Sequence, residues 1–112
     1  RNHDDHAKNF AFILNEQDKW ALSPAYDIAY SYKPGNKWVN NHWMSLAGKR
    51  DNFNREDFYK FERLSPIFTK AKINEVIDET IEMVSRWKIL AIEHEVPRSL
   101  IEEVNKNLRL HI

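Results

Sequence analysis

Phe10-Ala11-Phe12-Ile13-Leu14, Asn15-Glu16-Gln17-Asp18 and Lys19-Trp20-Ala21-Leu22 follow one another near the start of the chain. Two short apolar runs flank four polar residues. That is a β-hairpin pattern, because strand residues fill a pleated surface and turn residues bond their own backbone. With the turn centred between Glu16 and Gln17, Leu14 faces Lys19, Phe12 faces Ala21 and Phe10 faces Ser23. Asn9 is then carried next to Pro24.

Outward from the hairpin, Tyr30 to Asn41 holds Pro34, Gly35 and several Asn and Lys, and reads as an irregular excursion. Trp43 to Ala47 fits a strand or a buried linker stopped by Gly48. From Asn54 the period changes. Asn54 suits an N-cap, Glu56 and Asp57 the first turn, and Phe58, Phe61 and Leu64 one apolar face, with Pro66 as the stop. The longest run, Lys70 to His94, places Ile73, Val76, Ile77, Thr80, Val84, Trp87, Leu90 and Ala91 on one stripe of a helix about 37 Å long. Ile81, Ile89 and Ile92 lie off that stripe, so cover on more than one side is expected. Pro97 breaks the run. Ser99-Leu100-Ile101-Glu102 reads as a capping box opening a last helix to about Arg109, with Leu100, Ile101, Val104 and Leu108 inward. The fold class is therefore α+β and mostly helical, with a hairpin region over 1–50 and a helical part over 54–112.

Composition narrows the function. A chain of 112 residues with 42% hydrophobic residues supports one core. Seventeen Lys and Arg balance 17 Asp and Glu, so no net field holds nucleic acid or anionic lipid. There is no cysteine, which removes disulfides, thiol catalysis and Cys-based zinc sites. No apolar stretch is long enough to span a bilayer and no leader opens the chain. The expectation is a soluble, cytoplasmic protein with no membrane partner.

The densest polar cluster is Asn2-His3-Asp4-Asp5-His6-Ala7-Lys8-Asn9, directly before the first strand. By the pairing above, Asn9 and Asp27 lie at one open end of the hairpin. An amide oxygen and a carboxylate are hard ligands suited to Mg²⁺ with waters and phosphate oxygens. Asp4 precedes Asn9 at the D-x-x-x-x-N spacing used by kinase catalytic loops.

This cluster, with Leu22-Ser23-Pro24-Ala25-Tyr26-Asp27, resembles the N-x-D-x-H-x-K-N and P-x-Y-D motifs of HipA-like serine/threonine kinases, the toxins of HipBA-type toxin–antitoxin modules. Met44 to Arg50 and the closing helices are similar to the rest of that family's C-terminal domain. The resemblance implies that Asp4 orients or deprotonates the attacking hydroxyl and that Lys8 stabilises the transferred phosphoryl group. It implies Asn9 and Asp27 as Mg²⁺ ligands bridging ATP phosphates, and His6 as a member of the cofactor-binding set that shapes the loop. His3 and Asp5 fall on variable positions and receive no role. The implied partners are a HipB-like, helix-turn-helix DNA-binding antitoxin, with DNA reached only through it, and a protein substrate such as an aminoacyl-tRNA synthetase. An N-terminal ATP-binding lobe with its Gly-rich loop is absent from these residues, so the fragment is expected to be inactive in isolation.

Blander readings stand beside these. The polar loop can simply cap turns, Lys8 can be solvated, and His3 with His6 can be ligands of a small His/Asp metal-dependent hydrolase. A non-catalytic interaction module could use the excursion from Tyr32 to His42. Trp20, Trp38 and Trp43 are expected to pack in a core or against a lobe rather than form a stacking surface. Glu75, Asp78, Glu79 and Glu82 read as a solvated helix face, and Trp87 as a core anchor.

Overall fold

A computed structural model describes residues 1–112. The chain divides into two compact units, Arg1–Ser45 and Leu46–Ile112. Each is described by itself.

In the first unit, β1 (Phe12–Leu14) and β2 (Trp20–Leu22) form an antiparallel pair with Phe12 opposite Leu22, Ile13 opposite Ala21 and Leu14 opposite Trp20. The hairpin is where the sequence places it, but the register is shifted by one residue. The cause is the loop. Asn15 faces Lys19 (N–H to O, 3.0 Å), so Glu16, Gln17 and Asp18 form the loop instead of a turn centred between Glu16 and Gln17. Asp18 adopts φ +56°, a left-handed conformation that Asp tolerates better than most residues. Asn15 Oδ1 locks the turn by accepting from the N–H groups of Gln17 (3.0 Å) and Lys19 (2.9 Å). Both faces of the hairpin are exposed. Trp20 is 69% exposed, Trp38 58% and Trp43 42%, so none of the three packs in a core of this unit, which leaves the other half of the expectation, packing against a lobe. For Trp20 the reason is that a two-stranded hairpin has no second layer to bury it against.

The excursion beyond the hairpin is irregular, as expected, and its asparagines hold it in shape. Asn36 Oδ1 accepts from the Trp38 and Val39 N–H groups, and Asn40 Oδ1 from Gly35. Trp38 and Trp43 stack at 5.9 Å between ring centres.

The second unit opens with a tight turn rather than a strand. Leu46 and Lys49 bridge across Ala47 and Gly48, both at positive φ. The first helix, α1 (Arg55–Phe58), starts at Asn54, whose side chain accepts from Asp57 N–H while the Asp57 carboxylate accepts from Asn54 N–H. A 3₁₀ turn over Tyr59–Arg63 continues it. The long run is two helices, α2 (Lys70–Ser85) and α3 (Trp87–Glu93), not one. The break at Arg86 has a local cause. Ser85 Oγ donates to Glu82 O at 2.6 Å, the carbonyl a continuous helix would offer the Arg86 N–H, a back-bond of the kind that bends helices, and that N–H turns to Met83 O and Val84 O.

The final helix, α4 (Arg98–Lys106), begins at Pro97, and no side chain caps it. The Ser99 capping box is thus not formed: Pro97 fixes the helix entry two residues earlier, leaving Ser99 inside the first turn. The core of this unit is Ile73, Ile77, Ala91, Ile101 and Val104. Trp87 anchors α3 to α4 through Nε1–H to Ile101 O, 3.3 Å. Val76, Val84, Ile89 and Ile92 are exposed, so the α2 and α3 helices are covered along one narrow stripe rather than on several sides, and on α4 Leu100 is exposed, not inward as expected. Glu75, Glu79 and Glu82 are exposed as expected, and Asp78 pairs with Arg55.

Candidate functional site

The polar cluster folds around its own backbone. His6 is extended (φ −79°, ψ 165°) and the chain then closes into a 3₁₀ turn over Ala7–Asn9, with Asn9 N–H on His6 O at 3.0 Å. At the end of that turn the Asn9 side chain reaches back, and Nδ2 donates to Asp4 O at 2.9 Å. With the NH₂ so engaged, Oδ1 is the atom left to ligate.

The segment bearing Asp27 is pinned to this loop twice. Tyr26 Oη donates to Lys8 O at 2.7 Å. Asn2 Nδ2 donates to Asp27 O at 3.1 Å, while Asn2 Oδ1 accepts from Asp4 N–H at 3.1 Å. Asn2 therefore ties Asp4 and Asp27 together through one amide. Asp27 itself has φ +55°.

A cavity of about 180 Å³ opens between these segments, with Asn2, Asp5, Asn9 and Asp27 as its polar lining and Phe10, Leu22 and Pro24 among its apolar walls. Asn9 and Asp27 are thus brought to one cavity. Asp4, Lys8 and His6 are not among its lining residues. Asp4 joins through its carbonyl, and its half-exposed carboxylate lies 3.8 Å from His6 Nε2, a separation that contributes little in water. Lys8 is exposed. His6 keeps Nδ1 buried without a hydrogen-bond partner.

Three residues without an assigned role shape the site. Asp5 has the richest set of bonds in the cluster: its carboxylate accepts from Trp43 N–H (2.7 Å) and Met44 N–H (3.4 Å) and contacts His42 Nδ1 at 2.8 Å. Burial pushes the Asp5 carboxyl up, but the bonds from His42 and the two backbone N–H groups outweigh it and hold it below the usual carboxylate range. His3 is fully buried, its ring against those of Tyr32 (4.9 Å) and His42 (4.1 Å) and its Nε2 accepting from Arg1 at 3.3 Å. Asn2 is the third. Its motif position was readable, whereas the partners of Asp5 and His3 lie some 37 and 29 residues away and carry no local signal.

The hairpin-borne polar loop, with Asn9 and Asp27 on one cavity, and the helical unit after it make a mixed α+β chain. The family model described as HipA-like C-terminal domain matches residues 1–87, and the chain belongs to that family. No match is found among curated proteins or among solved structures. No helix is long and apolar enough to cross a membrane.

Proposed function

We propose that this domain carries the catalytic-loop and metal-binding part of a HipA-like serine/threonine protein kinase, which transfers the ATP γ-phosphoryl group to a serine of a translation-linked protein such as an aminoacyl-tRNA synthetase. A DNA-binding, HipB-like antitoxin neutralises it. The observation that carries this reading is that Asn9 and Asp27 line one cavity while Asp4, five residues before Asn9, holds the Asn9 amide.

The donor set suits the implied ion. One carboxylate and one amide oxygen leave most of an octahedral shell to water and phosphate, as Mg²⁺ prefers. Mg²⁺ held there supplies charge neutralisation at the ATP phosphates. In this reading Asn9 and Asp27 are the ligands, with His6 shaping the loop beside them. Asp4 is half-exposed and reachable by an incoming protein hydroxyl, whose proton it accepts or orients. Lys8 places a mobile positive charge near the phosphoryl oxygens, where charge spreads in the transition state. The metal-hydrolase alternative gains no support, since His3 is enclosed and bonded to Arg1 rather than free to ligate beside His6.

The test is phosphotransfer by the full-length protein, comparing wild type with Asp4→Asn and Asp27→Asn. Both substitutions are expected to lower kcat by at least about 100-fold, the scale of losing a positioned acid–base group. Full activity in both variants refutes the role assignments.

A further inference from the structure

We propose that Asp5 is a positioning residue for the cation pair: its carboxylate anchors the loop so that the adjoining Asp4 carbonyl keeps the Asn9 amide turned with Oδ1 available as a ligand. The inference rests on the kinase reading for what Asn9 binds, but not for how Asn9 is held.

The geometry runs in one chain of contacts. Asp5 receives His42 Nδ1 and the N–H groups of Trp43 and Met44, all from a segment 37 to 39 residues away. That segment is braced in turn, because His42 lies against the fully buried His3, whose N–H is bonded to Ser31 O at 2.8 Å. Asp5 also lines the cavity together with Asn9 and Asp27. One peptide away, Asp4 O is the acceptor that fixes the Asn9 side chain. An amide ligand presents oxygen or nitrogen according to which way it is turned, and outer partners that set such orientation commonly alter metal affinity by about 10–100-fold. Other bonds hold the loop elsewhere, with Tyr26 Oη donating to Lys8 O, Asn2 to Asp27 O and His3 N–H to Ser31 O, while Asp4 N–H and Asn9 N–H bond within the loop itself. Asp5, next to Asp4 in the chain, is the side chain that ties the loop to Trp43 and Met44, whereas His3 packs on Tyr32 and His42.

A purely structural role would lower stability and leave Asn9 unchanged in the folded chain. The experiment therefore reads Asn9 directly. In ¹⁵N-labelled chain, the Asn9 side-chain amide resonances are compared in wild type, Asp5→Ala, Asp5→Asn and His42→Ala, and Mn²⁺ alone is titrated as the paramagnetic probe. In wild type we expect two well-separated Asn9 NH₂ resonances and Mn²⁺ broadening centred on Asn9 and Asp27. In Asp5→Ala, with the resonances of α2 and α4 still dispersed, the Asn9 pair should collapse toward free-amide positions and Mn²⁺ affinity should fall about tenfold or more. Asp5→Asn keeps an acceptor for the Trp43 N–H and should recover part of both signals, and His42→Ala should lie between. Unchanged Asn9 resonances in folded Asp5→Ala and Asp5→Asn overturn the proposal. If wild type shows no Mn²⁺ broadening, the cation reading fails, and the Asn9 resonances still decide what Asp5 does.

Discussion

Replacing Asn2 by Ala removes two bonds with one change: the donor to Asp27 O and the acceptor from Asp4 N–H, each 3.1 Å long. A neutral bond of this kind contributes about 0.5–1.5 kcal/mol net. Asn2 is part-exposed, so the pair together stabilises the unit by about 1–2 kcal/mol. The comparison that matters is with Asp27. Its φ of +55° costs a non-glycine residue about 1 kcal/mol, which is close to what the Asn2 bond returns. Without that bond the segment keeps the Tyr26 Oη bond to Lys8 O but loses the one made by Asp27 itself, so Asp27 can relax toward ordinary backbone angles and its carboxylate moves relative to Asn9. A displacement of about 1 Å in a positioned group can cost about 100-fold in rate. Asn2→Ala should therefore lower kcat/KM for MgATP about 10- to 100-fold in phosphotransfer by the full-length protein, with a loss of stability of only 1–2 kcal/mol by urea denaturation. Asn2→Asp sharpens the test. It keeps the acceptor for Asp4 N–H but sets a carboxylate oxygen against the Asp27 carbonyl oxygen, so it should be worse than alanine. Wild-type kcat/KM in both variants would refute the reasoning.

Ile77 is 7% exposed in the helical unit, and Ile77→Ala should cost about 2–5 kcal/mol by urea denaturation; a cost below 1 kcal/mol would mean the α2 stripe is not the core. Ser85→Ala removes the back-bond to Glu82 O and should slow hydrogen exchange at Arg86 while stabilising the chain by about 0.5 kcal/mol; unchanged exchange would show that Ser85 does not cause the break between α2 and α3. Acid should loosen the first unit. The folded Asp5 carboxyl lies below its ordinary value, so its stabilisation is complete above the unfolded value of about 3.9 and is lost as pH falls through the lower folded one. Trp43 amide shifts followed between pH 5 and 2 should report this loss, and Asp5→Asn should abolish it; an identical acid transition in the variant would show that another group controls it.

Much of the local structure was legible because its causes are local. Asn54 and Asp57 announced α1 by their spacing, the excursion was marked by Pro34 and Gly35, and the hairpin by its two apolar runs. The register was missed by one residue because it depends on whether Asp18 turns left-handed, a choice of about 1 kcal/mol that Asn15's side chain settles through two backbone bonds. The helix break was missed because apolar period ran straight through Arg86, while the back-bonding Ser85 hydroxyl acts on a single carbonyl. Exposure was least legible of all. Trp20, Trp38 and Trp43 look like core residues, yet burial depends on whether another layer lies against them, and strand pattern does not supply that. At the candidate site, spacing singled out Asp4, Asn9 and Asp27, but the bonds of Asp5 to His42 and of His3 to its neighbours cross some 30 residues or more and had to be seen.

The backbone strain of this chain falls in telling places. Asp18 is left-handed because the hairpin loop demands it, Ala47 because it shares a tight turn with Gly48, and Glu95 because α3 ends there with Val96 N–H bonded to Ala91 O at 2.9 Å. At Asp27, as at Asn52 (φ +55°), no turn or helix end makes such a demand, but Asn52 lines no cavity with the candidate ligands, and asparagine is among the residues that adopt this conformation most readily. At Asp27 the left-handed angle goes with a carbonyl held by Asn2 and a residue that lines the cavity with Asn9. A relaxed residue would cost less, and glycine would cost least, but glycine has no carboxylate to offer. In the proposed reading, the strain at Asp27 is retained because it places the carboxylate beside Asn9. It follows that Asp27→Gly should leave the chain as stable as wild type or more so while abolishing phosphotransfer, whereas a residue serving structure alone would lose stability and activity together.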